Sequence, residues 1–198
     1  MNTETTRVLS AMRPNGRLHL GHYLGVLQNW QQIQYQYKCF FMLADIHGII
    51  NNYQASQQLS ETMNDMVIDW LAAGVDPSQA TIFIQSRVPE HFELASLLGV
   101  ITPLGWLERV PSYKDALDEL EHTDGNTYGL LGSPLLQSAD ILLYNSHYVI
   151  TGEEQAANLA CLETALERAR VKVVVLDRIT RAQDVHVLQP GHAAHQVV

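Results

Sequence analysis

Apolar positions along the 198-residue chain follow two alternating patterns. Short, nearly unbroken apolar runs recur at 7–12 (RVLSAM), 39–45 (CFFMLAD), 81–86 (TIFIQS), 147–151 (HYVIT) and 171–177 (VKVVVLD). Runs of this length, rich in β-branched and aromatic residues, predict strands buried on both faces of a parallel sheet. Between them the apolar spacing changes to three and four. Leu20, Leu24 and Leu27, continued by Trp30 and Ile33, predict one helix face. Leu59, Met63, Met66, Val67, Trp70 and Leu71 predict a second, closed by Gly74 with Asp76-Pro77 beyond. Residues 90–121 read as helical with breaks at Thr102-Pro103 and Val110-Pro111, and 122–129 as a loop. A helix is expected over 134–144, with Pro134 in its first turn. Another is expected over 152–170, acidic at its start and carrying Arg168 and Arg170 at its end. Strand–helix alternation of this kind predicts a parallel sheet with helices on both faces and ligand sites beyond the carboxyl ends of the strands.

Composition narrows the class. A hydrophobic share of 46% supports a real core, and 17% charged residues exclude a disordered tail. No apolar run approaches the roughly 20 residues of a membrane span, and the first residues, MNTETTRVLS, lack the apolar stretch of a signal peptide. Cys39 and Cys161 stand apart without pattern, as reduced thiols of a cytoplasmic protein do. The net charge of -9 argues against a chain-wide nucleic-acid surface.

The candidate chemistry begins at RPNGRLHLGHYLG, residues 13–25. A strand ends near Met12, a loop follows, and a helix is expected to start near Leu18 to Leu20. His19 and His22, three apart, share a helix face there. Gly21 between them leaves the backbone open to a ligand. Two imidazoles at a helix start can donate to phosphate oxygens, and fixed donors matter most where charge grows during reaction. Zinc would need at least a third ligand, and no suitably spaced Cys or His lies nearby, so no metal site is expected. On spacing alone, a polar helix start with two exposed histidines remains an equal reading.

The wider sequence adds a resemblance. HLGH matches the H-x-G-H signature of class I aminoacyl-tRNA synthetases, and SAMRPNGRL before it resembles the S-G-x-[QR]-P-[ST]-G stretch of tryptophanyl-tRNA synthetases. QSRVPEH (85–91), ITPLGWLERVPSYKD (101–115), YGLLGSPLLQSADILLY (128–144) and GEEQ (152–155) resemble that family in order and spacing, from about residue 7 to 170. The resemblance implies a Rossmann-like catalytic domain over 1–178 with a helical insertion at about 90–130, followed by an irregular tail over 179–198. It implies tryptophan–tRNA ligase activity: tryptophan is joined to ATP, accompanied by Mg2+, and then passed to tRNA.

By the same resemblance His19 and His22 act on the ATP phosphates. Arg13, Pro14 and Asn15 line the nucleotide loop, Gly21 lies against adenosine, and Gly152, Glu153 and Glu154 border the ribose. Asp140 accepts the indole N–H, with Gln137 shaping the pocket and Gln155 reaching the amino group. The apolar flanks of Asp140 in LLQSADILLY favour a buried carboxylate, and a buried charge needs partners. Asp45 and His47 close the strand of residues 39–45 at the ligand-facing edge, as tryptophan-site residues or as a plain strand-end turn. The segment 90–121 would contribute to a homodimer interface.

Several positions depart from the family pattern. Ala11 replaces a glycine, Ser133 stands where an aromatic flanks the pocket, and Asn158 takes a position often held by His. No K-M-S-K-S stretch follows; Lys172 is the one lysine after Lys114. The expectation is therefore a truncated form of reduced activity, without an anticodon-binding domain and with doubtful tRNA binding. The alternative is a non-catalytic fragment that binds tryptophan or adenylate, or pairs with full-length subunits. A small nucleotidylyl transferase acting on another acid is a third reading, which the motifs in the middle of the chain oppose.

Overall fold

The computed structural model describes residues 6–51, 58–119, 126–151, 172–175 and 186–187. Among them, six strands form one sheet: β1 (Arg7–Met12), β2 (Lys38–Leu43), β3 (Ala80–Ile84), β4 (Tyr148–Thr151), β5 (Lys172–Val175) and β6 (His186–Val187). Their order is β3-β2-β1-β4-β5-β6. The first five run parallel and β6 pairs antiparallel with β5. The apolar runs therefore mark the strands as their spacing predicts. The patternless tail adds the short edge β6, which two residues are too few to announce. The chain winds outward from β1 through β2 and β3, then returns to lay β4 on the other side of β1. That reversal opens a crevice at the carboxyl ends of β1 and β4.

Side-chain alternation along the strands divides the core. Val8 and Met12 of β1 and Cys39, Phe41 and Leu43 of β2 meet Leu27, Trp30, Met66 and Trp70 on one face. Trp30 stacks on Phe41 at 4.1 Å and meets Trp70 edge-on at 4.8 Å, so both indoles are core residues, as expected from their helix faces. On the other face Leu9 and Val149 pack with Ile141, flanked by Phe40, Phe83 and Tyr144. Both faces are covered, which is why these strands read as continuous apolar runs.

The helices show where a simple period misleads. After β1 the chain forms α1 (Leu20–His22), a π-helical turn (Tyr23–Leu27) and α2 (Gln28–Ile33). Leu20 is 70% and Leu24 47% exposed, whereas Leu27 and Trp30 are buried. The π turn is wider than an α turn and rotates the apolar stripe, so Leu20 and Leu24 leave the face that Leu27 and Trp30 occupy. Buried Asn29 donates through Nδ2 to the Gly25 carbonyl inside this turn at 3.1 Å. α3 (Asp45–Asn51) follows β2 directly, and α4 (Leu59–Ala72) buries Met66 and Trp70 but leaves Leu71 exposed. Gly74 closes α4 at φ +96°, a conformation that favours glycine. Buried Gln34 staples this corner: its Nε2 donates to the Gly74 carbonyl and its Oε1 accepts from Asp76 N–H.

Residues 90–119 form α5 (Glu90–Ile101), α6 (Leu104–Leu107) and α7 (Pro111–Glu119), broken at both proline steps as predicted. α8 (Tyr128–Leu143) starts earlier than expected, with Thr127 as its N-cap accepting from Leu130 N–H. Pro134 is therefore inside the helix and not in its first turn. The cap at Thr127, hidden in a loop-like composition, overrides the proline signal. Ser138 then donates through Oγ to the Pro134 carbonyl at 2.9 Å. The helix expected over 152–170 and Cys161 lie outside the described residues.

Candidate active site: a histidine pair and a buried carboxylate

Between β1 and α1 the chain makes a tight loop. Asn15 N–H donates to the Arg13 carbonyl, and Gly16 follows at φ +133°, where a side chain would strain the backbone. Buried Pro14 packs against Gly48 of α3, where an added Cβ would lie 3.3 Å from the proline ring. The loop is thereby anchored on the element that carries the second half of the site.

His19 caps α1, and the two histidines hold each other reciprocally. His19 Nδ1 accepts from Gly21 N–H at 3.1 Å, and His22 Nδ1 accepts from His19 N–H at 3.3 Å. The rings lie 3.9 Å apart. This arrangement fixes the tautomers: an Nδ1 that accepts is unprotonated, so each neutral ring carries its proton on Nε2. Burial, with the neighbouring His19 adding to it, holds the His22 pKa below its ordinary value and favours that neutral form. Gly21 has a specific duty here. A Cβ on it would sit 2.9 Å from His19 Cε1, so the missing side chain makes room for the His19 ring.

A crevice of about 490 Å³ opens beside the pair. Ser10 to Arg13 line it from β1 and the loop, Ile150 and Thr151 from β4, and His19, Gly21 and His22 from the helix start. It thus occupies the position where the strand order reverses. Arg13 and Asn15 reach this crevice; Pro14 supports the loop from behind.

The second half of the site centres on Asp140, which is 3% exposed in α8. Gln85, just after β3, places Nε2 2.8 and 2.9 Å from its two oxygens. His91 Nδ1, from α5, lies 2.6 Å from Oδ1, and His47 Nε2, from α3, lies 2.9 Å from Oδ2. His91 Nε2 meets the Tyr144 hydroxyl at 2.8 Å, and Ser133 Oγ is 3.5 Å from His47 Nδ1. Burial pushes the Asp140 pKa up, but hydrogen bonds from His47 and His91 outweigh it, so the carboxyl is held below its ordinary range. Burial, with Asp140 and Glu90 adding negative charge, raises the Tyr144 phenol to about 12. The phenol therefore keeps its proton.

Of the residues singled out from sequence, His19, His22, Gly21, Arg13 and Asn15 gather at the crevice, and His47 and Asp140 meet in the carboxylate cluster. Gln137 lies half-buried one turn before Asp140. Asp45 is buried, with Oδ1 accepting from Ser86 N–H at 3.0 Å, so it ties the end of β2 to the turn after β3. Gly152, Glu153, Glu154 and Gln155 lie outside the described residues. Sequence reasoning missed Gln85, His91 and Tyr144. The first two frame the QSRVPEH motif, yet nothing in their spacing brings them to a carboxylate about fifty positions away. Among the described residues no group of three or more His, Cys, Asp or Glu is arranged to hold a metal ion, and no helix is long and apolar enough to cross a membrane.

The family described as tRNA synthetases class I (W and Y) matches residues 1–190. A tryptophan–tRNA ligase of Ralstonia nicotianae is 58% identical over 153 residues, covering 77% of this chain and 38% of the relative. One from Thermotoga maritima is 44% identical over 154 residues, covering 77% of this chain and 47% of the relative. The chain therefore spans less than half the length of these relatives. A tryptophanyl-tRNA synthetase from Campylobacter jejuni, solved with ADP and tryptophan, superimposes with a TM-score of 0.77 at 28% identity, over 88% of this chain and 56% of that one.

Proposed function

Because the chain belongs to the class I tRNA synthetases of the tryptophan and tyrosine group, on the tryptophan side, we propose that it activates tryptophan with ATP. The observation that carries this reading is the reciprocal pair of His19 and His22 at the mouth of the β1/β4 crevice. The tryptophan carboxylate attacks the α-phosphorus, the bond to the β-phosphate oxygen breaks, and pyrophosphate leaves with that electron pair. No side chain forms a covalent bond. The protein's part is to position the two substrates and to meet the charge that grows on the phosphate oxygens. The two Nε2–H groups are the donors for that charge, held in place before the reaction begins. ATP enters with Mg2+, and the aminoacyl group then passes to tRNA in the complete ligase reaction.

On the amino-acid side the ionised, dehydrated Asp140 is the acceptor for the single polar group of an indole. Its partners matter because a lone buried carboxylate would protonate and lose its acceptor strength. His47 stands on the open side of the cluster, beside Ser133.

Tryptophan-dependent exchange of pyrophosphate into ATP tests this proposal. The wild-type chain is expected to catalyse it, and His22→Ala to lower the rate by about 100-fold, the loss typical of one preorganised transition-state donor. Exchange that His22→Ala leaves unchanged would refute the role of the pair.

Homodimer formation has its own support. Leu97, Val100 and Ile101 of α5 and Leu104 and Trp106 of α6 are exposed large apolar residues close together in the chain. Such a concentration marks an interaction surface. Sedimentation of the wild type is expected to show a dimer, and Val100→Glu a monomer.

A further inference from the structure

We propose that His91, backed by Tyr144, is a positioning residue that orients the Asp140 carboxylate as an acceptor and thereby sets the preference of the site for an indole over bicyclic side chains that lack the N–H. The inference rests on the tryptophan reading above and deepens it.

The proton order around Asp140 follows from elementary hydrogen-bond chemistry. A carboxylate only accepts, so His91 Nδ1 must donate to Oδ1 and Gln85 must present its amide nitrogen. On the far side of the ring, His91 Nε2 is hydrogen-bonded to the Tyr144 hydroxyl. Tyr144, His91 and Asp140 thus form a hydrogen-bonded chain that ends on the carboxylate. His91 and Gln85 have no exposed surface, while the His47 side chain keeps 12% exposure and holds Oδ2 from the open side. A donor entering from that side reaches Oδ2, where it replaces His47, and Oδ1 stays held by His91.

Gln85 Oε1 is buried and has no partner among the described residues. A buried acceptor without a donor is costly, and native structures rarely keep one without cause. Its direction follows from the same chain: Asp140 claims the Gln85 nitrogen, so the carbonyl oxygen is turned away from it. The single N–H of an indole goes to Oδ2, on the side that His47 now holds; an isostere bringing sulfur there gives Oδ2 no donor.

The test compares L-tryptophan with β-(3-benzothienyl)-L-alanine, which replaces the indole N–H with sulfur. Dissociation constants are measured by calorimetry for the wild-type chain, His91→Leu, His91→Gln and Tyr144→Phe. The wild type is expected to prefer tryptophan. His91→Leu is expected to weaken tryptophan at least about tenfold, as loss of one charged hydrogen bond does, and to leave the analogue within about threefold. His91→Gln, which retains an amide donor, should restore most of the preference, and Tyr144→Phe should reduce it about threefold. A merely structural role would weaken both ligands equally, and that result overturns the inference, as does an unchanged preference in His91→Leu. Wild-type binding of the analogue as tight as that of tryptophan also overturns it. If the wild type binds neither ligand, the tryptophan reading itself fails and takes the inference with it. If thermal melting shows His91→Leu unfolded, Tyr144→Phe decides: reduced preference supports the inference and unchanged preference overturns it.

Discussion

At the scale of single residues, Asp140 is the meeting point of the buried polar cluster. It receives donors from three separate elements, so removing it leaves His47, Gln85 and His91 without their common partner. Asp140→Ala is expected to destabilise the protein by about 3 kcal/mol, read from urea unfolding. Its titration gives a signed prediction. The folded pKa is below the unfolded one, so its stabilisation is present above the ordinary carboxylate range and is lost as pH falls through the folded value. Asp140→Asn should therefore flatten the acid limb of a stability–pH curve; an unchanged limb would contradict the assignment. Asp140 was legible in the sequence because an acid amid LLQSADILLY has to find partners. The partners were not, since residues at 47, 85 and 91 meet only through the winding of the sheet.

At the scale of elements, the contrast lies between strands and helices. Five apolar runs became five strands within a residue or two, because strands buried on both faces need little more than length and β-branched side chains. Helix faces were harder to read where local geometry interrupts the period. The π turn after α1 exposes Leu20 and Leu24, and the Thr127 cap moves the start of α8 ahead of Pro134. Gly21 is informative in the same way. Its sequence context suggested space for a ligand, while the structure fills that space with the His19 ring. Gly21→Ala is expected to push His19 out of its reciprocal contact, and to slow exchange about tenfold while the sheet stays folded by circular dichroism.

At the scale of the whole molecule, the winding order β3-β2-β1-β4 explains why the two halves of the site adjoin. β1 leads into the histidine loop, β2 into α3 with Asp45 and His47, and β3 into the turn that starts at Gln85. All three run parallel, so their carboxyl ends share one edge of the sheet. The Pro14 contact with Gly48 then links the histidine loop to α3, which carries His47. On the proposed function, this edge joins a phosphate-facing histidine pair to an indole-reading carboxylate, and amino-acid-dependent pyrophosphate exchange on the wild-type chain measures both at once. Exchange supported by tryptophan and not by tyrosine is the predicted result; exchange driven by tyrosine, or none with either amino acid, would contradict it.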